Sequence, residues 1–137
     1  MGKDLEMFFL EDMGHAPEVQ SMAIMHGHLL MVAQGQLWWT PLTSRGLDKT
    51  EQNSINIRGV LDANENVVTL SMSPNQRWIA MGTSRSKVIL LDVHRRKIRS
   101  GYPKDMASLT PVTSIGVDNE YVRAVMNHCL YHCKLPA

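Results

Sequence analysis

The stretch from Val67 to Lys97 reads VVTLSMSPNQRWIAMGTSRSKVILLDVHRRK, and the rest of the chain can be understood by comparison with it. Short runs rich in Val, Ile, Leu and aromatic residues alternate there with turn residues, a pattern typical of short strands joined by tight turns. We predict strands over Val67–Met72, Trp78–Met81 and Val88–Val93, with a fourth strand opening at Ile98. The predicted turns are Ser73–Asn75, Gly82–Ser86 and His94–Lys97.

The third of these strands has apolar residues on both of its faces. Side chains alternate along a strand, so Val88 and Leu90 share one face, while Ile89 and Leu91 share the other. Val93 lies with the second group. A strand that is apolar on both faces is predicted to be covered on both, as happens where sheets stack on each other.

The stretch also resembles a known repeat. The run S-P-N-x-x-W-I-A-x-G-T-x-x-x-K-V-x-L-L-D-V is similar to the repeat of WD40 β-propellers over about thirty residues. Val88, Leu90 and Asp92 fit that repeat, whereas Leu91 stands where the family prefers Trp. The Gly-His pair of the family is replaced by Glu65 and Asn66. The resemblance implies a protein built from blades that binds other proteins, and it names no partner.

The spacing Val-x-x-Φ-x-Φ, where Φ is apolar, opens this stretch and occurs twice more. Its other occurrences are Val19, Met22 and Ile24, and then Val112, Ile115 and Val117. The starts at 19, 67 and 112 lie 48 and 45 residues apart, close to the period of roughly 40–45 residues in WD40-type blades. We therefore divide the chain into units at about 19–66, 67–111 and 112–137, preceded by an N-terminal segment of residues 1–18.

The other two units predict comparable elements. In the first we expect strands over Leu29–Ala33 and Leu37–Leu42, an exposed loop over Ser44–Asn53 and an outer strand over Ser54–Val60. In the third we expect strands over Tyr121–Met126 and Cys129–Leu135, and the N-terminal segment carries a candidate outer strand over Glu6–Leu10. The predicted fold class is all-β, with antiparallel four-stranded units that form an incomplete WD40-type β-propeller in a single domain, residues 1–137. The alternative is a compact antiparallel sheet protein that only imitates the repeat.

Three units would leave two open flanks, because a closed propeller normally has four to eight blades and each blade buries its faces against its neighbours. Val112–Val117 and Tyr121–Leu135 are largely apolar, and an exposed edge or face of that kind recruits another chain. We therefore predict that the chain is not a stable monomer. Three alternatives stay open: the chain is an excerpt, an isoform or a truncated form of a longer propeller, it associates with a second copy that closes the ring, or a different protein completes it.

Composition sets limits on the class of protein. The chain of 137 residues is 44% apolar and 20% charged, as expected for one globular domain. Its net charge of +1 gives no general attraction to nucleic acid or anionic membranes, and no apolar run reaches the roughly 18 residues of a membrane span. The N-terminus does not read as a signal peptide, and the two cysteines are predicted to be free thiols in a reducing compartment. We expect a cytoplasmic or nuclear protein.

The sharpest candidate site is a cluster near the C-terminus. It comprises His128, Cys129, His132 and Cys133, which are residue types that bind zinc. On a helix, residues four apart share a face and could chelate one ion. On a strand they lie about 13 Å apart, at ~3.3 Å per residue, and could not. Because this segment has the composition of a strand, we assign no metal and no cofactor, and zinc binding stays an alternative.

Three other groups of residues have plain structural interpretations. Six basic residues surround the single acid Asp92 within fifteen residues, in turns at opposite ends of one strand, so we expect a solvated rim rather than a nucleic-acid site. They are Arg85, Lys87, Arg95, Arg96, Lys97 and Arg99. His26 and His28 flank Gly27 and indicate a polar hairpin turn. Trp38 and Trp39 are adjacent and must point to opposite faces of a strand, so at least one is expected in the core.

Catalysis is not indicated, since none of the phosphate-loop, dinucleotide, G-x-S-x-G or H-E-x-x-H motifs occurs. We predict a non-enzymatic protein-interaction scaffold or a subunit of a larger assembly, with no membrane partner. The alternatives are a substrate-receptor part of a ubiquitin ligase, a small zinc-binding protein, and a nucleic-acid-binding protein that uses Arg95, Arg96 and Lys97.

Overall fold

A computed structural model describes residues 4–9, 19–103 and 110–136 of the protein. These residues form three antiparallel sheets, one in each predicted unit, which we call the first, second and third blade. The prediction of an all-β protein built from blade-like units is confirmed. None of the helices within these ranges is long and apolar enough to cross a membrane.

The first blade has four main strands, in the order β1 (Val19–Met25), β2 (His28–Ala33), β3 (Gln36–Thr43) and β5 (Asn53–Asn56). Between β3 and β5 lies an excursion, residues 44–52. It contains the short strand β4 (Gly46–Leu47), paired with the end of β3, and a 3₁₀ turn over Lys49–Glu51. The prediction of a plain exposed loop over Ser44–Asn53 is therefore wrong in part.

The predicted outer strand Ser54–Val60 is also shorter in the structure. β5 ends at Asn56, whose side-chain oxygen accepts a hydrogen bond of 2.8 Å from the backbone N–H of Arg58. Such a local bond turns the chain away from the sheet. A 3₁₀ turn over Arg58–Val60 follows.

The second blade matches the prediction most closely. Its strands are β6 (Val67–Met72), β7 (Trp78–Thr83), β8 (Val88–Asp92) and β9 (Lys97–Gly101), in that spatial order. The turn between β6 and β7 is closed by Ser73, whose hydroxyl accepts from the N–H of Trp78 at 3.0 Å. The fourth strand predicted to open at Ile98 is present and begins one residue earlier.

The third blade contains β10 (Val112–Val117), β11 (Tyr121–Met126) and β12 (Cys129–Lys134), and no fourth strand joins it within the described part of the chain. The strand predicted over Glu6–Leu10 is not formed from Glu6 to Phe9, and Leu10 lies outside the described residues. The apolar side chains of that segment are 82–90% exposed, so no packing stabilises a strand there.

Three hairpins close with two-residue turns in which both residues have positive φ, the conformation that matches the twist of paired strands. The turns are His26–Gly27, Gln34–Gly35 and Asn127–His128. The interpretation of His26 and His28 as part of a polar hairpin turn is confirmed, with His28 as the first residue of β2.

The blades stack side by side, with β6 lying between β1 and β10. One apolar layer joins the first and second blades and contains Ile89 and Leu91. A second layer joins the second and third blades and contains Leu90, with Val88 packed against it. The prediction that β8 is covered on both faces is confirmed.

Gly82 shows how closely two blades approach. A Cβ atom added there would lie 2.5 Å from Cγ1 of Val112 in the third blade and 2.7 Å from Cγ2 of Thr69. Both distances are shorter than real carbon contacts. The glycine is therefore required by the interface between the second and third blades.

Candidate functional site

The second and third blades each have one face that meets the preceding blade, which we call the upstream face, and an opposite downstream face. The upstream faces of the second and third blades are buried in the two apolar layers. The strand register identifies the same face on the first blade, because directly paired residues lie on one side of a sheet. That face contains Val19, Met22, Ile24, Leu29, Met31, Trp38 and Thr40.

The part of this face that lies on β1 is exposed. Val19, Met22 and Ile24 on β1 are 46%, 60% and 60% exposed, and we call them the β1 strip. Their counterparts in the opening spacing of the second unit, Val67 and Leu70, are 0% and 6% exposed. The same sequence pattern is thus buried in one blade and open to solvent in another, because no blade formed by residues 4–9, 19–103 and 110–136 covers it here.

The outer part of the face is partly shielded by the excursion. Met31 is 8% exposed and Thr40 is 3% exposed, although no blade within the described part of the chain lies over them. Leu47 and Gln52 of the excursion line a groove of about 220 Å³ together with Met31, Trp38 and other residues of the upstream face. The exposed apolar surface is therefore confined to the β1 strip and to the mouth of this groove.

The opposite end of the stack has a different chemistry. On the downstream face of the third blade, Arg123 donates a hydrogen bond of 2.9 Å to Asp118, and its guanidinium carbon lies 5.0 Å from the ring centre of Tyr121. Tyr121 in turn stacks on His132 at 5.5 Å. Backbone N–H groups of Tyr121 and Glu120, and then Arg123, lower the pKa of the Asp118 carboxyl. This flank carries charged and polar groups that are satisfied in water.

The two adjacent tryptophans point as predicted to opposite faces. Trp39 is 4% exposed in the layer between the first and second blades, and the guanidinium of Arg96 lies 5.6 Å from its ring centre. Trp38 is half-buried on the upstream face. Trp39 is thus a core residue, and Trp38 belongs to the candidate interaction surface.

A buried polar network in the second blade escaped the sequence analysis. Glu65 accepts hydrogen bonds from the hydroxyl of Thr83 at 2.6 Å and from Nζ of Lys87 at 3.0 Å. Burial by itself raises the pKa of Glu65, but these bonds, a backbone N–H from Asp62 and the charge of Lys87 lower it overall. Glu65 holds the place where the WD40 repeat has its Gly-His pair, so the sequence indicated that the usual network is missing but did not identify the residues that replace it.

Lys87 is therefore the exception among the basic residues. It is 5% exposed, so its placement on a solvated rim is wrong. The prediction that the basic residues lie in turns at opposite ends of one strand is confirmed. Arg85 and Lys87 lie in the turn before β8, between β7 and β8, whereas Arg95 and Arg96 lie in the turn after it, between β8 and β9. Arg96 also donates a hydrogen bond of 2.6 Å to the carbonyl of Ser54. The structure does not bring the six residues together as one surface for nucleic acid.

The histidine and cysteine cluster lies on a hairpin and not on a helix. His128 is a turn residue, and Cys129, His132 and Cys133 lie on β12. Residues four apart on a strand are about 13 Å apart, so the helical chelation considered above does not arise. Among the residues that the structure describes, no group of three or more metal-binding side chains is placed to hold an ion.

Solved structures with similar folds were found, whereas no protein-family model and no curated protein matches the sequence. The crystal structure of RRP9 WD40 repeats matches 81% of this chain with a TM-score of 0.56 and 9% identity. The β-propeller domain of Myceliophteria thermophila Cps50 (Swd1) matches 92% with a TM-score of 0.54 and 16% identity.

The chain has the fold of part of a WD40-type β-propeller. It spans 33% of the RRP9 chain and 41% of the Cps50 chain. A third match, Kuenenia stuttgartiensis hydrazine synthase, covers 88% of this chain and 34% of its own, with a TM-score of 0.58 and 8% identity. These likenesses describe the fold and leave the prediction of a non-enzymatic protein as a prediction.

Proposed function

We propose that this protein is a non-enzymatic protein-interaction module, and that another protein surface binds the upstream face of its first blade. The single observation that supports the proposal most strongly is the exposure of the β1 strip on a face whose two counterparts in the same chain are buried. Contiguous exposed apolar surface of this kind marks sites where proteins bind.

The energetics favour this surface over the other flank. Full burial of one Met or Ile side chain stabilises a complex by about 1.5–3 kcal/mol. Met22 and Ile24 are each 60% exposed and are directly accessible to a partner. On the downstream face of the third blade, a partner would first have to remove water from the Arg123 and Asp118 pair.

Site-specific photo-crosslinking in living cells tests the proposal. Met22 is replaced by a photoreactive amino acid, and Leu130 on the downstream face of the third blade, which is 68% exposed, is replaced in a matched control. We expect discrete protein adducts from position 22 and few from position 130. Equal yields from both positions, or no adducts at all, would contradict the proposal.

The cytoplasm or nucleus is proposed as the compartment. Cys129 and Cys133 are both free and exposed, and exposed thiols persist as thiols in a reducing environment. Subcellular fractionation with thiol labelling of the full chain checks this, and recovery of the protein in a secreted, fully oxidised form would contradict it.

A further inference from the structure

The outermost strand of the second blade, β9, lies at the rim of the stack. It pairs with β8 along one edge, and no strand within the described ranges pairs with its other edge. The fourth strand of a blade lies at the periphery of a propeller, whichever blades stand beside it. The exposure of β9 therefore does not depend on how many blades continue the stack.

Ser100 lies near the end of this strand, directly after a run of basic residues. Four of the five positions before it are basic, the fifth is Ile98, and the run contains no acid. No other serine or threonine of the chain has more than two basic residues among the five that precede it. The four basic residues are Arg95, Arg96, Lys97 and Arg99.

Two of these cations are available to another molecule. Lys97 and Arg99 are exposed, and their side chains form no hydrogen bond or ion pair with any residue that the structure describes. Arg96 instead holds the start of the strand in place, since it bonds to the carbonyl of Ser54 and lies over the ring of Trp39. The basic run thus combines a fixed end with free positive charges beside the serine.

The position of Ser100 can accept a bulky charged group without disturbing the core. Ser100 is exposed, whereas Ser73 and Ser86 are 0% exposed and their hydroxyls bond to neighbouring groups. Of the five side chains of β9, four are exposed and only Ile98 is partly buried. Local opening of an edge strand with so little buried surface costs far less than unfolding the domain.

We propose that Ser100 is a phosphorylation site for a protein kinase that selects basic substrates. Kinases choose their substrates partly by complementary charge, and a run of cations before the serine fits a cleft lined by carboxylates. Oγ of Ser100 forms a bond to the γ-phosphorus of ATP while the bond from that phosphorus to the β–γ bridging oxygen breaks. ADP leaves with the electron pair of the broken bond, and the hydroxyl proton passes to a carboxylate of the kinase.

The modification changes the charge of the rim. A phosphoserine carries a charge of about −1.5 to −2 at neutral pH, and here it joins a run of four positive charges. The rim then changes from strongly basic to weakly basic, while the apolar layers between the blades stay as they are. This inference goes beyond the proposed function and does not depend on the upstream face of the first blade.

Treatment of the purified full chain with the catalytic subunit of cyclic-AMP-dependent protein kinase and radiolabelled ATP tests the inference. Ser44 provides a matched control, because it is exposed in a turn and none of the five residues before it is basic. We expect one phosphate per chain, located at Ser100 by mass spectrometry. Ser100→Ala should abolish the labelling, and Ser44→Ala should leave its rate unchanged.

The double variant Lys97→Gln/Arg99→Gln separates recognition by charge from simple accessibility. It keeps Ser100 and its place on the strand, and it should be phosphorylated about tenfold more slowly or less. Its circular dichroism spectrum and urea midpoint should match those of the wild type, because the two side chains form no bonds within the described residues. Mass spectrometry of the chain recovered from growing cells, with phosphatase inhibitors present, provides a second readout and should find phosphate at Ser100.

Four results would overturn the inference: no labelling of the folded chain, labelling that survives Ser100→Ala, an unchanged rate in the double variant, or an unmodified Ser100 in cells. Labelling of Ser44 at the rate of Ser100 would also overturn it, since exposure alone would then explain the reaction. None of these results bears on crosslinking from position 22, so the proposed function stands or fails separately.

Discussion

Nζ of Lys87 lies 3.0 Å from a carboxylate oxygen of Glu65, and the two side chains are 6% and 0% exposed. The pair joins the segment before β6 to the turn between β7 and β8, with Thr83 donating to the second carboxylate oxygen. This ion pair stabilises the second blade at the position where the WD40 repeat has its Gly-His pair. Its geometry predicts a large cost for removing either charge.

Glu65→Gln should destabilise the fold by about 3–5 kcal/mol, because the variant leaves the Lys87 ammonium buried without its counter-ion. Asp62 provides a matched control, since it lies 4.0 Å from the same ammonium but is 57% exposed. Asp62→Asn should cost less than about 1 kcal/mol. Urea unfolding measures both values, and equal costs for the two variants would show that the Glu65 pair is not buried.

The same network predicts how stability depends on pH. The pKa of Glu65 is lowered from its ordinary value of 4.5, so the unfolded chain takes up a proton first as the solution is acidified. The stabilisation by Glu65 is therefore present above pH 4.5 and is lost as the pH falls through the lower folded-state pKa. Asp92 behaves in the same way: burial alone raises its pKa, but the hydrogen bond from Arg77 and those from backbone N–H groups lower it overall.

Urea unfolding between pH 3 and 7 checks this dependence. The wild type should lose stability below about pH 4.5, and Glu65→Gln should show a shallower acid slope. An identical slope in the two proteins would mean that Glu65 does not titrate as described. Burial by itself lowers the pKa of Lys87, but hydrogen bonds to Glu65 and Tyr102, together with the charges of those groups, raise it overall. The stabilisation by Lys87 is therefore lost only as the pH rises above the ordinary value of 10.5.

Trp78 should be a major contributor to the interface between the second and third blades. It is 3% exposed and lies in the second apolar layer, so Trp78→Ala should cost about 3–5 kcal/mol. Trp38→Ala is the natural comparison, because Trp38 is half-buried on the open flank and should cost ~1–2 kcal/mol. Urea unfolding at a protein concentration low enough to keep the chain monomeric measures the two costs. A larger cost for Trp38→Ala than for Trp78→Ala would show that the upstream face of the first blade is not the open one.

The turn between β11 and β12 predicts a stabilising substitution. His128 has a φ of +62° and is exposed, and a glycine there would relieve a strain that Asn-Gly turns avoid. We expect His128→Gly to stabilise the protein by about 0.5–1 kcal/mol. Gly27→Ala, at a φ of +72° with open space around the added Cβ, should destabilise it for the same reason. If His128→Gly is destabilising, the side chain has a structural role that this turn does not show.

The strands of the second blade could be predicted because turn-forming residues in the sequence itself mark where each strand ends. Pro74 and Gly82 stand in or beside the turns, and the apolar runs between them match the strands to within one or two residues. The first blade was harder to predict, because its excursion has the polar composition of a loop. In the structure Leu47 nevertheless pairs with Leu42, and Gly46 beside it has a φ of +122°. A brief paired strand leaves no periodic signal.

Two features depended on tertiary contacts that no local pattern encodes. Glu65 and Lys87 are 22 residues apart, and both belong to residue types that are normally exposed, so the sequence indicated a solvated lysine. The neighbouring tryptophans were predicted to face opposite ways, but only the stacking of the blades decides that Trp39 is the core residue. The opening spacing likewise predicts an apolar face and cannot say which copy of that face is left uncovered.

The most direct test of the central claim compares the exposure of Met22 in the purified protein and in the complexes that the protein forms in cells. Hydroxyl-radical footprinting reports the oxidation rate of each methionine, and Met7, which is 90% exposed in the N-terminal segment, serves as the internal reference. The account predicts that Met22 is protected in the complexes, while Met7 stays as reactive as in the purified protein. An oxidation rate of Met22, relative to Met7, that is equal in the two preparations would contradict the claim that the upstream face of the first blade is the surface where another chain binds.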